Sequence, residues 1–166
     1  EVYNFVELRQ DLKALGHVFQ GGSDTEVIAN AYEQWGLDCF GKFNGKFAIA
    51  LFDRGTETLV LARDRLGVTP LFYRHDPGCV RFGSEIKAIL AAPGTKPSIN
   101  LRRLAATIGL PYKLHWEGHD SLFEGVEQVR PGECMVFKVD QAVKRSKYWS
   151  PEDIKPAPVR SFLDAR

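Results

Sequence analysis

The sequence predicts an α+β fold on three observations: helical periodicity in the first 36 residues, a switch to short β-prone runs from Lys46, and renewed helical spacing after Ser84. Asn4 with Glu7 three residues on has the layout of a capping box. Phe5, Leu8, Leu12 and Leu15 then recur at helical spacing up to Gly16. Ser23 and Glu26 repeat that start signal, and Val27, Ile28, Ala31, Tyr32 and Trp35 form an apolar stripe ending at Gly36. From Lys46 the period changes. Phe47 to Phe52 and Leu59 to Ala62 flank the polar turn 53–57, which predicts a β-hairpin, and their near-continuous apolarity predicts strands buried on both faces. A second hairpin is predicted from Leu71–Tyr73 and Val80–Phe82 through residues 75–78. Ser84-Glu85 opens a short helix carrying Ile86, Ile89 and Leu90. Further on come a helix from Asn100 to Ile108 and a late strand from Cys134 to Val139, after the turn Arg130-Pro131-Gly132-Glu133. Lys155-Pro156-Ala157-Pro158 has linker composition.

Composition narrows the class of function. At 166 residues, 44% hydrophobic and 11% aromatic, the chain can bury a core. Twenty-two basic and 21 acidic side chains leave a formal charge of +1, which argues against a nucleic-acid or anionic-membrane partner. The longest apolar run, residues 47–52, is too short to cross a bilayer, and the front of the chain lacks a signal-peptide layout, so a soluble cytoplasmic protein is expected. Cys39, Cys79 and Cys134 are widely spaced and form no Cys-x-x-Cys. They fit a reducing compartment and inert packing roles. His17, His75, His115 and His119 are scattered, and the loose His115/His119 pair has no third ligand at useful spacing, so no metal site is expected. Gly21-Gly22 lacks the Gly-x-x-x-x-Gly-Lys continuation and reads as a turn leading into a helix. There is no initiating Met, and residues 161–166 begin a segment that goes nowhere, so a fragment is expected.

The stretch "LARDRLGVTPLFY", residues 61–73, drives an apolar strand into Arg63, Asp64 and Arg65 before apolarity resumes. A buried charge needs partners, because removing it from water uncompensated costs several kcal/mol or more. Gly67 and Pro70 tighten the loop enough to aim those charges at neighbouring backbone. A solvated charged turn is the alternative, and spacing alone does not decide between them.

"EVYNFVELRQDL", "GGSDTEVIANAYEQWG", "NGKFAIALFD", "LARDRLGVTPLFY", "FGSEIKAIL" and "VRPGE" followed by "YW" together resemble, in order, the class II glutamine amidotransferase half of glutamine-hydrolysing asparagine synthetases. The resemblance covers nearly the whole chain. It implies an N-terminal-nucleophile fold, a four-layer αββα sandwich of antiparallel sheets, incomplete here for want of N-terminal strands. It implies a glutaminase domain over residues 1–149, with 150–166 as linker and the start of a synthetase domain. It also implies a reaction in which an N-terminal Cys thiolate attacks the carboxamide of glutamine, ammonia leaves, and water releases glutamate from the thioester. That nucleophile, with the Arg-Gly-Pro and Asn-Gly contacts, is expected upstream of Glu1, so no catalytic residue is assigned in this chain and the fragment is expected to be inactive.

Two substrate positions carry over from the resemblance. Asp24, in "GSDTE", matches the aspartate that holds the α-ammonium of glutamine; its plain alternative is a helix N-terminal Asp stabilising the dipole. Glu1 matches a glutamate facing the same amine, and fraying is expected there. Arg63 and Asp64 match a charged loop that supports the site. The implied partners are glutamine and the synthetase domain of the same chain, where ATP and Mg would act; no cofactor is expected on these residues. A homo-oligomer formed through exposed sheet edges is a further expectation. Two alternatives stay open: a non-catalytic docking module, or an amidotransferase serving another acceptor such as a sugar phosphate or a β-lactam precursor.

Overall fold

A computed structural model describes residues 1–109 and 120–154. The predicted front helices form at Phe5–Ala14 (α1) and Asp24–Trp35 (α2), followed by a 3-10 turn at Gly36–Asp38 and a short helix at Cys39–Lys42 (α3) that periodicity did not signal. Ser23 caps α2, its hydroxyl accepting from the Glu26 amide at 3.3 Å. Glu26 does not close the predicted box, because its carboxylate accepts from the Gln20 and Gly21 amides at 2.6 and 2.9 Å instead. The Gly21 amide is therefore already taken by the chain's own carboxylate. Asn4 makes no cap bond either. Its side chain accepts from the Asn44 amide and donates to the Lys42 carbonyl, tying α1 to the loop ahead of the first strand.

Among the described residues, seven strands make two antiparallel sheets. Ala48–Asp53 (β1), Thr58–Arg63 (β2), Glu133–Lys138 (β6) and Lys144–Lys147 (β7) are ordered β1-β2-β6-β7. Phe72–Asp76 (β3), Cys79–Gly83 (β4) and Glu127–Gln128 (β5) are ordered β4-β3-β5. The first hairpin has Ala48 opposite Arg63 and Asp53 opposite Thr58, and β2 then pairs with β6 through Leu61 opposite Met135.

Period-2 geometry divides the core. Val60, Ala62 and Cys134 face one way, onto Leu8 and Leu12 of α1, Val27 and Ala31 of α2, and Phe40 of α3. Leu61, Met135 and Phe137 face the other way and meet Leu71, Tyr73 and Val129 of the second sheet. Tyr73 and Phe137 pack edge to face across this gap at 5.7 Å between centroids. The short helix Ile86–Leu90 (α4) rests on β3 and β4 and contributes nothing to the inter-sheet cluster, so it covers the outer side of the second sheet. Leu101–Gly109 (α5) begins next to Asn100, whose amide donates to the Leu122 carbonyl. The sum is helix, sheet, sheet, helix: the expected αββα layering.

Two further features differ from the sequence reading. Burial on both faces holds for β2, but the edge strand β1 leaves Ala50 and Phe52 exposed, because on that face the inter-sheet cluster reaches only Ala48. β7 was not foreseen at all, since its Lys-Arg-Ser-Lys sequence carries no apolar alternation. It is held by pairing with β6 and by Arg145, which donates at 2.8 Å to both the Tyr73 hydroxyl and the Glu127 carboxylate of the second sheet. No helix among the described residues is long and apolar enough to cross a membrane. His115, His119 and the segment 155–158 lie outside the described residues.

Candidate functional site

The charges of the opening motif turn inward. Arg63 and Asp64 are 6% and 1% exposed. They make no ion pair with each other; they divide the backbone of the loop that follows. The Asp64 carboxylate accepts from the amides of Leu66 at 3.2 Å, Val68 at 2.9 Å and Thr69 at 2.9 Å, and from Phe47 at 3.3 Å. The Arg63 guanidinium donates to the carbonyls of Gly67 at 2.8 Å, Thr69 at 2.8 Å and Val129 at 2.9 Å. One side chain satisfies amides and the other carbonyls, so the loop's backbone is held from inside while the side chains of Leu66 and Val68 stay exposed. Burial pushes the Arg63 guanidinium below its usual pKa, and the nearby Asp64 charge opposes that. Gly67 must be glycine: its φ is +66, and a Cβ there would lie 2.7 Å from Pro131 Cγ.

This loop borders a cleft of about 630 Å³ between the start of α2 and β1, lined by Glu1, Asp24, Lys46, Phe47, Ile49 and Thr69 among others. Asp24 is the first residue of α2, so it does sit at the positive end of a helix dipole. Its carboxylate also reaches across the chain and accepts from the Val2 amide at 3.0 Å. Glu1 is tied down by backbone pairing: its backbone nitrogen donates to the Lys46 carbonyl at 2.7 Å, and its carbonyl accepts from the Lys46 amide at 3.1 Å. Val2 bridges Gly45 in the same antiparallel sense. Both predicted carboxylate residues thus line one cleft, while Arg63 and Asp64 stand behind its wall.

A family model described as a glutamine amidotransferase domain matches residues 1–149. The chain belongs to that family. It is 40% identical over 156 residues to asparagine synthetase (glutamine-hydrolyzing) 3 of Bacillus subtilis (strain 168), covering 93% of this chain and 25% of that protein. It is 30% identical over 164 residues to putative asparagine synthetase (glutamine-hydrolyzing) 2 of Methanocaldococcus jannaschii, covering 94% of this chain and 30% of that protein. The chain therefore spans between 25% and 30% of the length of these relatives. In fold it matches the solved glutamine phosphoribosylpyrophosphate amidotransferase of B. subtilis, with a TM-score of 0.59 at 20% identity over 89% of this chain and 27% of that one. The amidotransferase domain thus has the N-terminal-nucleophile sandwich.

The domain's three cysteines lie away from the cleft. Cys39 and Cys134 are buried, and loss of hydration pushes their thiols up to about 12 and about 11; Cys79 is exposed on β4. His17 hydrogen-bonds Asn30 and Gln34, and His75 packs on Phe137, so neither histidine joins the cleft. Lys46 and Thr69 line the cleft and were not singled out from sequence. The tight turn at Gly67 and Pro70 was legible there; which amides Asp64 would take was not, because that depends on where Phe47 arrives from the other end of the hairpin.

Proposed function

We propose that this chain is the glutamine-binding part of a class II amidotransferase whose longer protein makes asparagine. Glutamine enters the cleft beside β1 with its α-ammonium toward Asp24 and Glu1. An ionised carboxylate partly screened from water suits that cation, and a charge-assisted hydrogen bond there contributes about 1.5–3 kcal/mol. By resemblance to glutamine-hydrolysing asparagine synthetases, the reacting sulfur is that of an N-terminal Cys thiolate; none of Cys39, Cys79 and Cys134 borders the cleft. Its attack on the carboxamide forms the C–S bond, C–N cleavage releases ammonia with a proton taken from the thiol, and water splits the thioester to glutamate. Ammonia then passes to an aspartyl adenylate made with ATP and Mg in the synthetase portion. The 166-residue chain binds glutamine and leaves it intact.

The observation that supports this reading is that Glu1 and Asp24 line one cleft, with Asp24 at the head of α2. Calorimetric titration of the chain with L-glutamine and with glutaramate, which lacks only the α-amino group, tests it. Glutamine should bind at least tenfold tighter, the equivalent of about 1.4 kcal/mol, and Asp24→Asn should abolish the difference. A folded wild-type chain that fails to bind glutamine, or binds both ligands equally, overturns the reading.

A further inference from the structure

We propose that Asp64 is a positioning residue for the cleft: one buried carboxylate sets the spacing of two of its walls. The inference rests on reading the cleft as the glutamine site. Phe47 and Thr69 both line it, from opposite ends of the β1–β2 hairpin and its outgoing loop. A single oxygen, Asp64 Oδ2, accepts from both amides, at 3.3 Å from Phe47 and 2.9 Å from Thr69. The other oxygen, Oδ1, holds Leu66 and Val68 at 3.2 and 2.9 Å. The Asp64 amide donates in turn to the Phe47 carbonyl at 3.0 Å, so residue 47 is fixed from both its polar groups. Arg63 holds the same loop through its carbonyls and anchors it to Val129 beside the second sheet.

The chemistry needs a carboxylate rather than a polar group of the same shape. Four amide donors converge on two acceptor oxygens, and an amide side chain offers only one. In Asp64→Asn, the NH₂ must face two N–H groups. Either the 47–69 junction or the 66–68 turn loses its acceptor, and the wall shifts. Asp64 never contacts the substrate in this account; it acts through Phe47 and Thr69.

The test is calorimetry on the 166-residue chain with L-glutamine and glutaramate as probes, with the folded fraction of each variant fixed by circular dichroism. Asp64→Asn should weaken both ligands by the same factor, at least tenfold, because it moves the wall and leaves the ammonium contact alone. That pattern differs from Asp24→Asn, which removes only glutamine's advantage. Phe137→Leu, in the inter-sheet cluster, controls for general loosening and should leave both affinities within twofold. An Asp64→Asn chain that is folded and keeps wild-type affinity overturns the inference, as does selective loss of glutamine alone. If wild-type chain binds neither probe, the glutamine reading itself fails and this inference falls with it. Should Asp64→Asn not fold, the wild-type chain still decides: the amide proton signals of Phe47 and Thr69 should move as glutamine is added, and unmoved signals overturn the proposal.

Discussion

Replacing Arg63 with methionine keeps an unbranched apolar stem and removes the guanidinium. The guanidinium makes three hydrogen bonds of 2.8 to 2.9 Å, to the carbonyls of Gly67, Thr69 and Val129. Bonds to a charged donor are worth about 1.5–3 kcal/mol each, and a carbonyl left buried without a partner costs about 1–3 kcal/mol. Against that loss stands the relief of desolvating a cation that is 6% exposed. Breaking a buried polar network of this kind costs about 3–5 kcal/mol net, which for a chain of this size lowers Tm by roughly 6–20 °C. Urea unfolding followed by tryptophan fluorescence reads it directly, as a lower midpoint at unchanged slope. A loss under about 1 kcal/mol would show that water replaces the guanidinium at little cost, and the claim that the charged motif is a buried scaffold would fail.

Three other outcomes follow from the same geometry. Of the three thiols only Cys79 is exposed, while Cys39 and Cys134 are buried with pKa values pushed up to about 12 and about 11; at pH 8 a thiol reagent should therefore modify one cysteine rapidly in the native chain and all three in urea, and rapid reaction of two or more native thiols would contradict the packing. Glu26, lowered first by the Gln20 amide, and Asp76, lowered first by Arg74, both have depressed carboxyl pKa values in the folded state. Below their unfolded pKa values of about 4 the unfolded chain binds more protons, so stability should hold from neutral pH and fall as the acid limb is crossed, and Glu26→Gln should flatten that limb; an unchanged acid limb would refute the contribution. Gly132 has φ +67, and a Cβ there would collide with the Trp149 carbonyl, so Gly132→Ala should cost about 2 kcal/mol or more in urea unfolding, and a neutral result would contradict the turn geometry.

What was legible in the sequence was whatever a period or a turn residue encodes locally. The stripe from Val27 to Trp35 gave α2, and the alternation of strand and turn gave both hairpins. β7 was invisible because its stability comes from partners: β6 alongside it, and Tyr73 with Glu127 under Arg145. The two-residue β5 was invisible for the same reason, since its pairing with Phe72 and Tyr73 is entirely non-local. Asn4 looked like a cap because capping residues are recognised by type, yet its amide is spent on Asn44 and Lys42, some forty residues away. At the cleft, Asp24 and Glu1 were singled out by motif resemblance, whereas Lys46 and Thr69 emerged only once β1 and the 64–69 loop were placed side by side. The charges of "ARDR" posed a question in sequence that only the amide and carbonyl partners around Asp64 and Arg63 answer.

The most direct measurement is a crystal structure of the chain with L-glutamine bound. The account predicts density between α2 and β1, with the ligand's α-nitrogen within hydrogen-bonding distance of the Asp24 carboxylate. Glutamine seated elsewhere on the molecule, or bound in the cleft with that nitrogen turned to solvent, would contradict it.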